Sequence, residues 1–241
     1  MARLGFLYPG HAAEDDYPLL AKLIGASISA EVVHTGMGLD AHEREALLEI
    51  GSSERLLEGA RELRQRGVDA AMWACTSGSF VFGPGGARRQ VAELAGFLGV
   101  PTSSTSWAFV QAIRAVGARR VAIAATYPED IARAFETFLA AAGIGVASVG
   151  SQGIVTAAEV GTLVRERVLE FVQAGDHPEA EAVLVPDTAL HTAAWLTDLE
   201  DTVAKPVLTA NQVTMWGALG LAGVSGVTDG LGRLFGIDPT I

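Results

Sequence analysis

The chain of 241 residues is poor in cysteine and in positive charge. It has one cysteine, and its 17 lysines and arginines face 28 acidic residues, which gives a net charge of −11. A lone cysteine excludes an internal disulfide and is typical of the reducing cytoplasm, where we expect the protein to reside. Phosphate backbones and anionic membranes attract clustered basic residues, which this sequence lacks. We therefore expect neither nucleic acid nor a membrane as a partner.

Long apolar runs and cofactor motifs are also missing. No apolar segment reaches the length of about 18 residues that a membrane span needs, and the run at 4–9 is too short for the core of a signal peptide. The histidines are scattered and lack the spacing of a metal site, and there is no phosphate loop or dinucleotide fingerprint. The sequence thus predicts no metal and no organic cofactor. The histidines are His11, His34, His42, His177 and His191.

Short β-rich apolar runs alternate with amphipathic runs along the whole chain. Apolar residues make up 49% of it and charged residues 19%, which favours a well-buried globular core. Helices are predicted at 54–66 and 129–142, each with a glycine directly after it as a C-cap. Strands are predicted at 4–8, 30–34, 70–74, 102–104, 121–125, 146–149, 182–185 and 207–209. This alternation predicts an α/β fold with parallel sheets flanked by helices.

The sequence also repeats itself in order. "GFLYP" at 5–9 is echoed by "AATYP" at 124–128, "DAAMWACT" at 69–76 by "EAVLVPDT" at 181–188, and "VPTSSTSW" at 100–107 by "KPVLTANQ" at 205–212. Such collinear repeats predict two pseudo-symmetric halves. We place the first half at 1–117 plus 211–241, with the final helix crossing back onto it, and the second at 118–210. Since ligands bind beyond the carboxyl ends of parallel strands, we expect the active site in the cleft between the halves.

Cys75 stands where a buried strand ends, within "DAAMWACTSGSFVFGPGG". A free cysteine is often simply buried. The hydroxyl residues and glycines that follow Cys75 are not typical of a core strand, so we predict that its thiol is a reacting group. Thr76 and Ser77 can donate hydrogen bonds to a carboxylate or an oxyanion. The other interpretation of these two residues is a turn that satisfies its own backbone.

Asp187 holds in the second half the place that Cys75 holds in the first. Two interpretations stay open: an acid–base group that faces Cys75 across the substrate, or a cap for a helix beginning near Ala189. Tyr127, in "ATYPED", ends the first strand of the second half, where its phenol would reach the cleft unless it serves only for packing.

The motifs "ACTSGSF", "IAATYPEDI", "SQGI", "VPDT" and "GLGRLF" occur in this order over nearly the whole chain. Together they resemble the aspartate/glutamate racemase superfamily, and within it the branch of arylmalonate decarboxylase and maleate cis–trans isomerase. The resemblance implies a two-half fold, no cofactor, and chemistry on a small carboxylate through a carbanion or enediolate. It also implies that Thr76, Ser77 and Tyr127 hold a carboxylate and the enediolate, and that Thr188 and Ala189 belong to the second-half loop.

The chain departs from each branch at specific positions. Racemases and maleate isomerases of the family resemble one another in carrying a cysteine in both halves. The decarboxylase has a cysteine only in the second half, with glycine at the matching position of the first half. Here Cys75 stands at the first-half position and Asp187 at the second-half position, which argues against a racemase with two thiols. A proton from Cys75 would reach the substrate carbon on the face opposite to the one that the decarboxylase protonates. The isomerase asparagine after the first strand is absent, and Gly78 stands where the decarboxylase has a leucine.

These observations favour a cofactor-independent enzyme that decarboxylates a substituted malonate with Cys75 as the proton donor. A carboxylate beside a thiol raises its pKa, which favours the acid over the nucleophile. Three alternatives stay open: maleate-type cis–trans isomerisation with Cys75 as the nucleophile, epimerisation through Cys75 and Asp187, and a binding protein that has kept the cleft without the chemistry. A homo-oligomer also stays open.

Overall fold

The computed structural model describes residues 1–239 and contains two four-stranded parallel sheets flanked by helices. The strands are β1 (Ala2–Pro9), β2 (Ile28–Thr35), β3 (Ala70–Trp73), β4 (Thr102–Ser104), β5 (Arg120–Ala125), β6 (Gly145–Ser151), β7 (Ala182–Val185) and β8 (Val207–Thr209). The helices are α1 (Asp16–Ile24), α2 (Arg44–Ile50), α3 (Ser53–Arg66), α4 (Ser77–Phe80), α5 (Gly83–Leu98), α6 (Thr105–Ala115), α7 (Glu129–Ala141), α8 (Ala157–Val160), α9 (Arg165–Gly175), α10 (Leu196–Val203) and α11 (Ala210–Leu221), followed by a 3-10 turn at Arg233–Gly236.

The two sheets have the same strand order. The first is β2-β1-β3-β4 and the second is β6-β5-β7-β8, with every pair parallel. This common order confirms the predicted pseudo-symmetric α/β fold. β3 and β7 occupy matching places, and all their residues are buried, as their uninterrupted apolar sequences require.

Local sequence signals account for the predicted helix ends. α3 begins with an acidic first turn, ends with Arg64 and Arg66, which complement the helix dipole, and stops at Gly67, whose φ of 66° favours glycine. α7 is followed closely by Gly143, with a φ of 80°. Both helices lie within one residue of their predicted bounds.

The last long helix, α11, lies mainly against α6, β3 and α1 of the first half and also touches β8, the strand that precedes it. A capping box stabilises its start. The Thr209 side chain accepts a hydrogen bond from the backbone amide of Gln212, and the Gln212 side chain accepts one from the backbone amide of Thr209. The proposed division into 1–117 plus 211–241 and 118–210 stays a prediction, and its last two residues lie outside the described part of the chain. Within that part, no helix combines the length and the apolarity needed to cross a membrane.

Candidate active site

Cys75 and Asp187 line one small cavity between the two sheets. Each side chain comes two residues after its strand, Cys75 after β3 and Asp187 after β7, so the repeated fold brings them to one place from opposite halves. The cavity encloses about 30 Å³, roughly the space of a single water molecule. It is lined by Tyr8, Pro9, Met37, Asp40, Ala41, His42, Leu47, Ile50, Cys75, Ser77, Ala157, Asp187, Thr188 and Ala189.

The Cys75 thiol is buried, with 5% of the residue exposed, but it borders the cavity. The amide of Gly78 donates to Sγ at 3.3 Å, and the Ser77 hydroxyl lies 3.8 Å from it. Burial raises the pKa of the thiol to about 11, and the Asp187 carboxylate adds to the shift. The group is therefore a protonated thiol at neutral pH and suited to donating a proton.

Gly78 is matched to the sulfur beside it. A Cβ at this position would lie 3.1 Å from Sγ of Cys75 and 3.1 Å from the ring of Trp73. Contacts this short would force Cys75 or Trp73 to shift by a few tenths of an ångström to accommodate the leucine that the resemblance places at Gly78 in the decarboxylase. The thiol at position 75 and a side chain at position 78 therefore compete for the same space.

Asp187 is buried and both of its oxygens accept hydrogen bonds. The Ala189 amide donates to Oδ1 at 2.9 Å, and the Thr126 hydroxyl donates to Oδ2. The carboxylate does not cap a helix that begins near Ala189, because residues 187–195 are irregular, with turns at 188–189 and 193–194, and α10 starts only at Leu196. Asp187 instead stabilises a short turn, so the helix-cap interpretation is wrong.

The remaining predicted residues surround the same cavity. Ser77, Thr188 and Ala189 line it. The backbone amide of Ala189 already donates a hydrogen bond to Asp187. Thr76 is fully buried beside Cys75, and its hydroxyl has no hydrogen-bond partner among the described residues. Tyr127 lies behind the lining with its hydroxyl donated to the carbonyl of Pro186 at 2.6 Å, and burial raises the pKa of this phenol well above its usual value.

A segment that the sequence did not single out closes the cavity. Residues 36–43, here called the cover loop, connect β2 to α2 and contribute Met37, Asp40, Ala41 and His42 to the lining. The Asp40 carboxylate accepts from the amides of Ala157 and Ala158 at 2.8 and 3.1 Å, which fastens the cover loop to the start of α8. The only signal in the sequence was the position of this loop after the carboxyl end of a parallel strand.

His42 projects from the cover loop toward Asp187. Its Nδ1 donates to the carbonyl of Ile154 at 2.9 Å, and its Nε2 lies 4.0 Å from Oδ2 of Asp187. Its ring also meets the ring of Tyr127 edge-on, with 4.9 Å between the centroids. An imidazole, a carboxylate and a thiol therefore share one cavity, and none of the described residues that line it is a lysine or an arginine.

Two other histidines come together at the surface. His11 and His34 stack with 3.9 Å between their ring centroids, and Nδ1 of His11 lies 3.0 Å from a carboxylate oxygen of Glu14. One ligand atom from each of these three residues lies within 4.8 Å of the others, a set able to hold a divalent ion. The prediction that the histidines are all scattered is wrong for this pair, because the parallel pairing of β1 and β2 joins residues far apart in the sequence.

Larger grooves occur elsewhere on the surface. One, of about 340 Å³, is lined by residues of α6 and α11 that include Gln111, Arg114 and Trp216. It contains neither the thiol nor the paired carboxylate. We therefore place the candidate active site in the small cavity, where the reactive groups meet.

The chain is similar to known proteins over most of its length. The family model described as arylmalonate decarboxylase matches residues 11–235. An arylmalonate decarboxylase of Bordetella bronchiseptica is 30% identical over 188 residues, covering 76% of this chain and 77% of that protein. A maleate isomerase of Geobacillus stearothermophilus is 27% identical over 163 residues, covering 65% of each chain.

A solved structure shows the same fold. It is a cysteine-to-serine mutant of the maleate cis–trans isomerase of Nocardia farcinica with a covalently bound succinylcysteine intermediate. It superposes with a TM-score of 0.89 at 23% identity, covering 97% of this chain and 98% of that one. This likeness extends over both halves of the molecule.

Proposed function

Because this chain belongs to the arylmalonate decarboxylase family, we propose that it is a cofactor-independent decarboxylase of a small substituted malonate, with Cys75 as the proton donor. The observation that carries this proposal is a protonated thiol and a carboxylate that line one cavity. Loss of CO₂ leaves an enediolate, which needs neutral hydrogen-bond donors for its oxygens and one proton for its carbon.

The donors come from the turn after β3. The hydroxyl of Thr76 is buried and has no hydrogen-bond partner in the described part of the chain, and an unpaired buried hydroxyl is costly unless a ligand completes its hydrogen bond. Ser77 lines the cavity beside it. We assign both residues to the substrate carboxylate that is retained, where fixed donors stabilise the developing charge by several kcal/mol. The phenol of Tyr127 joins them if it leaves the carbonyl of Pro186.

Asp187 supplies the driving force for the departure of CO₂. A second carboxylate placed on its side of the cavity meets a negative charge with no lysine or arginine to offset it, and charges that approach in a buried site repel each other strongly. Release of CO₂ removes this repulsion. In the decarboxylase, the resemblance assigns the destabilisation of the departing carboxylate to an apolar pocket that includes a leucine at the position of Gly78. In this chain the charge of Asp187 would take that role.

Product analysis by NMR tests the proposal. We expect purified protein to convert phenylmalonate to phenylacetate in the absence of added metal or cofactor, and Cys75→Ala to slow this at least ~100-fold, the usual size of a proton-transfer contribution. Phenylmalonate that stays unchanged, or a Cys75→Ala variant of normal rate, would contradict it.

Maleate in the same assay tests the second candidate. A cysteine-to-serine mutant of the maleate isomerase of Nocardia farcinica carries a covalently bound succinylcysteine, and an addition of this kind at Cys75 would need its thiolate. The raised pKa of Cys75 makes the thiolate scarce at neutral pH, which places isomerisation second. Fumarate formation from maleate without phenylmalonate turnover would reverse the order.

We also infer a cytoplasmic location, which is supported by the single free cysteine. A homo-oligomer stays a prediction for size measurements in solution. The assignments of Thr188 and Ala189 to substrate binding likewise stay predictions, supported by their place in the cavity lining.

A further inference from the structure

His42 is a second titratable group in the cavity, beside the Asp187 that the sequence suggested as the acid–base partner of Cys75. Asp187 already accepts hydrogen bonds at both oxygens, from Ala189 and from Thr126. These two donors hold the carboxylate in one orientation, with Oδ2 4.0 Å from Nε2 of His42. Asp187 is therefore well placed to stabilise a cation at His42.

The imidazole of His42 is free to accept a proton. A backbone carbonyl can only accept, so the contact with Ile154 puts the ring hydrogen of the neutral histidine on Nδ1. Nε2 is then left with a lone pair, and the described residues provide no hydrogen bond to it. When Nε2 gains a proton, the new N–H faces Oδ2 of Asp187, 4.0 Å away, and an ion pair forms inside the cavity.

We propose that His42, paired with Asp187, is a second acid–base group of the active site, and that the enzyme therefore also exchanges the α-hydrogen of the monocarboxylate it produces. This inference rests on the enediolate chemistry of the proposed function. The same enediolate forms whether CO₂ leaves the malonate or a proton leaves the α-carbon of the product. A cavity that stabilises it in one reaction stabilises it in the other.

The exchange step conserves atoms and electrons. The α-carbon C–H bond breaks, its proton forms an N–H bond at Nε2 of His42, and the electron pair enters the carboxylate to give the enediolate. If Cys75 then reprotonates the carbon, the S–H bond breaks, a C–H bond forms on the other face, and a thiolate remains. The thiolate and the imidazolium return to their starting states by proton exchange with water. No oxidant, reductant or metal takes part.

The test follows each enantiomer of 2-phenylpropanoate in D₂O, with NMR for loss of the α-hydrogen and chiral chromatography for racemisation. The variant His42→Asn is matched to the site, because the asparagine amide can still donate to the carbonyl of Ile154 but offers no basic nitrogen. We expect it to slow α-hydrogen exchange at least ~100-fold and to lower the ratio of exchange to decarboxylation measured on the same preparation. His34→Asn, on the exposed end of β2, serves as the control and should match the wild type in both assays.

Cys75→Ala provides a second readout that does not depend on how well His42→Asn folds. Without the thiol, His42 alone should still exchange the α-hydrogen, with configuration retained and racemisation lost. The proposal is overturned if the wild type exchanges no α-hydrogen, if His42→Asn exchanges it at the wild-type rate, or if Cys75→Ala abolishes exchange. Because exchange is measured on the monocarboxylate, a protein that decarboxylates without exchanging refutes only this inference, and one that exchanges without decarboxylating refutes only the proposed function.

Discussion

At the scale of single residues, the protonation state of Cys75 determines which chemistry is available. Burial raises its pKa to about 11, and only the thiolate reacts with alkylating agents. We therefore expect the rate of iodoacetamide labelling to keep rising about tenfold per pH unit beyond pH 9. Mass spectrometry suits the measurement because the chain has no other cysteine. A labelling rate that levels off near pH 8.5, as for a free thiol, would contradict the raised value.

Thr126 holds the second oxygen of Asp187, and its removal tests that contact. Thr126→Val keeps the shape of the side chain but leaves a buried carboxylate oxygen without its donor. We expect the free energy of unfolding to fall by about 1–3 kcal/mol, the usual cost of an unsatisfied buried group. Thr137→Val, at an exposed site on α7, is the matched control and should change urea stability by much less. Equal stability of the two variants would show that the contact is unimportant.

The pairing of Cys75 with Asp187 could be predicted from the sequence, because both follow buried apolar strands within repeats that align. The strand pattern identified β3 and β7, and the repeat placed their carboxyl ends in one cleft. The hydrogen bonds of Asp187 could not be predicted in the same way. They depend on Thr126, which lies far along the chain and reaches the carboxylate only because β5 and β7 are paired.

At the scale of elements, the cover loop forms one wall of the cavity. A space of about 30 Å³ is too small for a dicarboxylate, so we expect residues 36–43 to move when substrate enters. This loop escaped sequence analysis because it has no periodic pattern and carries no recognised motif. Its position depends on the contacts of Asp40 and His42 with residues 154–158, between segments more than 100 residues apart.

Loosening the cover loop should expose the thiol. Asp40→Ala removes two hydrogen bonds between this loop and α8, and a loss of about 1.4 kcal/mol makes opening about tenfold more frequent. We expect iodoacetamide to label Cys75 roughly tenfold faster in this variant at a fixed pH. Glu45→Ala, on the exposed face of α2, is the control. If both variants label at the wild-type rate, Asp40 does not hold the loop closed.

At the scale of the whole molecule, the two sheets share a continuous apolar core. Phe80 of α4 and Phe109 of α6 both pack on Phe135 of α7, with ring centroids 5.2 and 5.4 Å apart, so the halves meet through aromatic rings. Polar contacts join the halves as well: the Tyr8 hydroxyl donates to the carbonyl of Thr188 at 3.0 Å. The repeated sequence predicted two halves, but it could not show how firmly they are joined, because these partners share no local pattern.

A joined core predicts one unfolding transition for both halves. Phe135→Ala removes a fully buried ring at their contact and should lower the free energy of unfolding by about 3–5 kcal/mol. Because both sheets depend on that contact, the midpoint in urea should shift as a whole, with far-UV circular dichroism and tryptophan fluorescence in agreement. Phe97→Ala, at a half-buried ring on α5, is the control and should cost less. Two separate transitions, in the wild type or in Phe135→Ala, would mean that each half folds by itself and that the cavity is a contact between independent units.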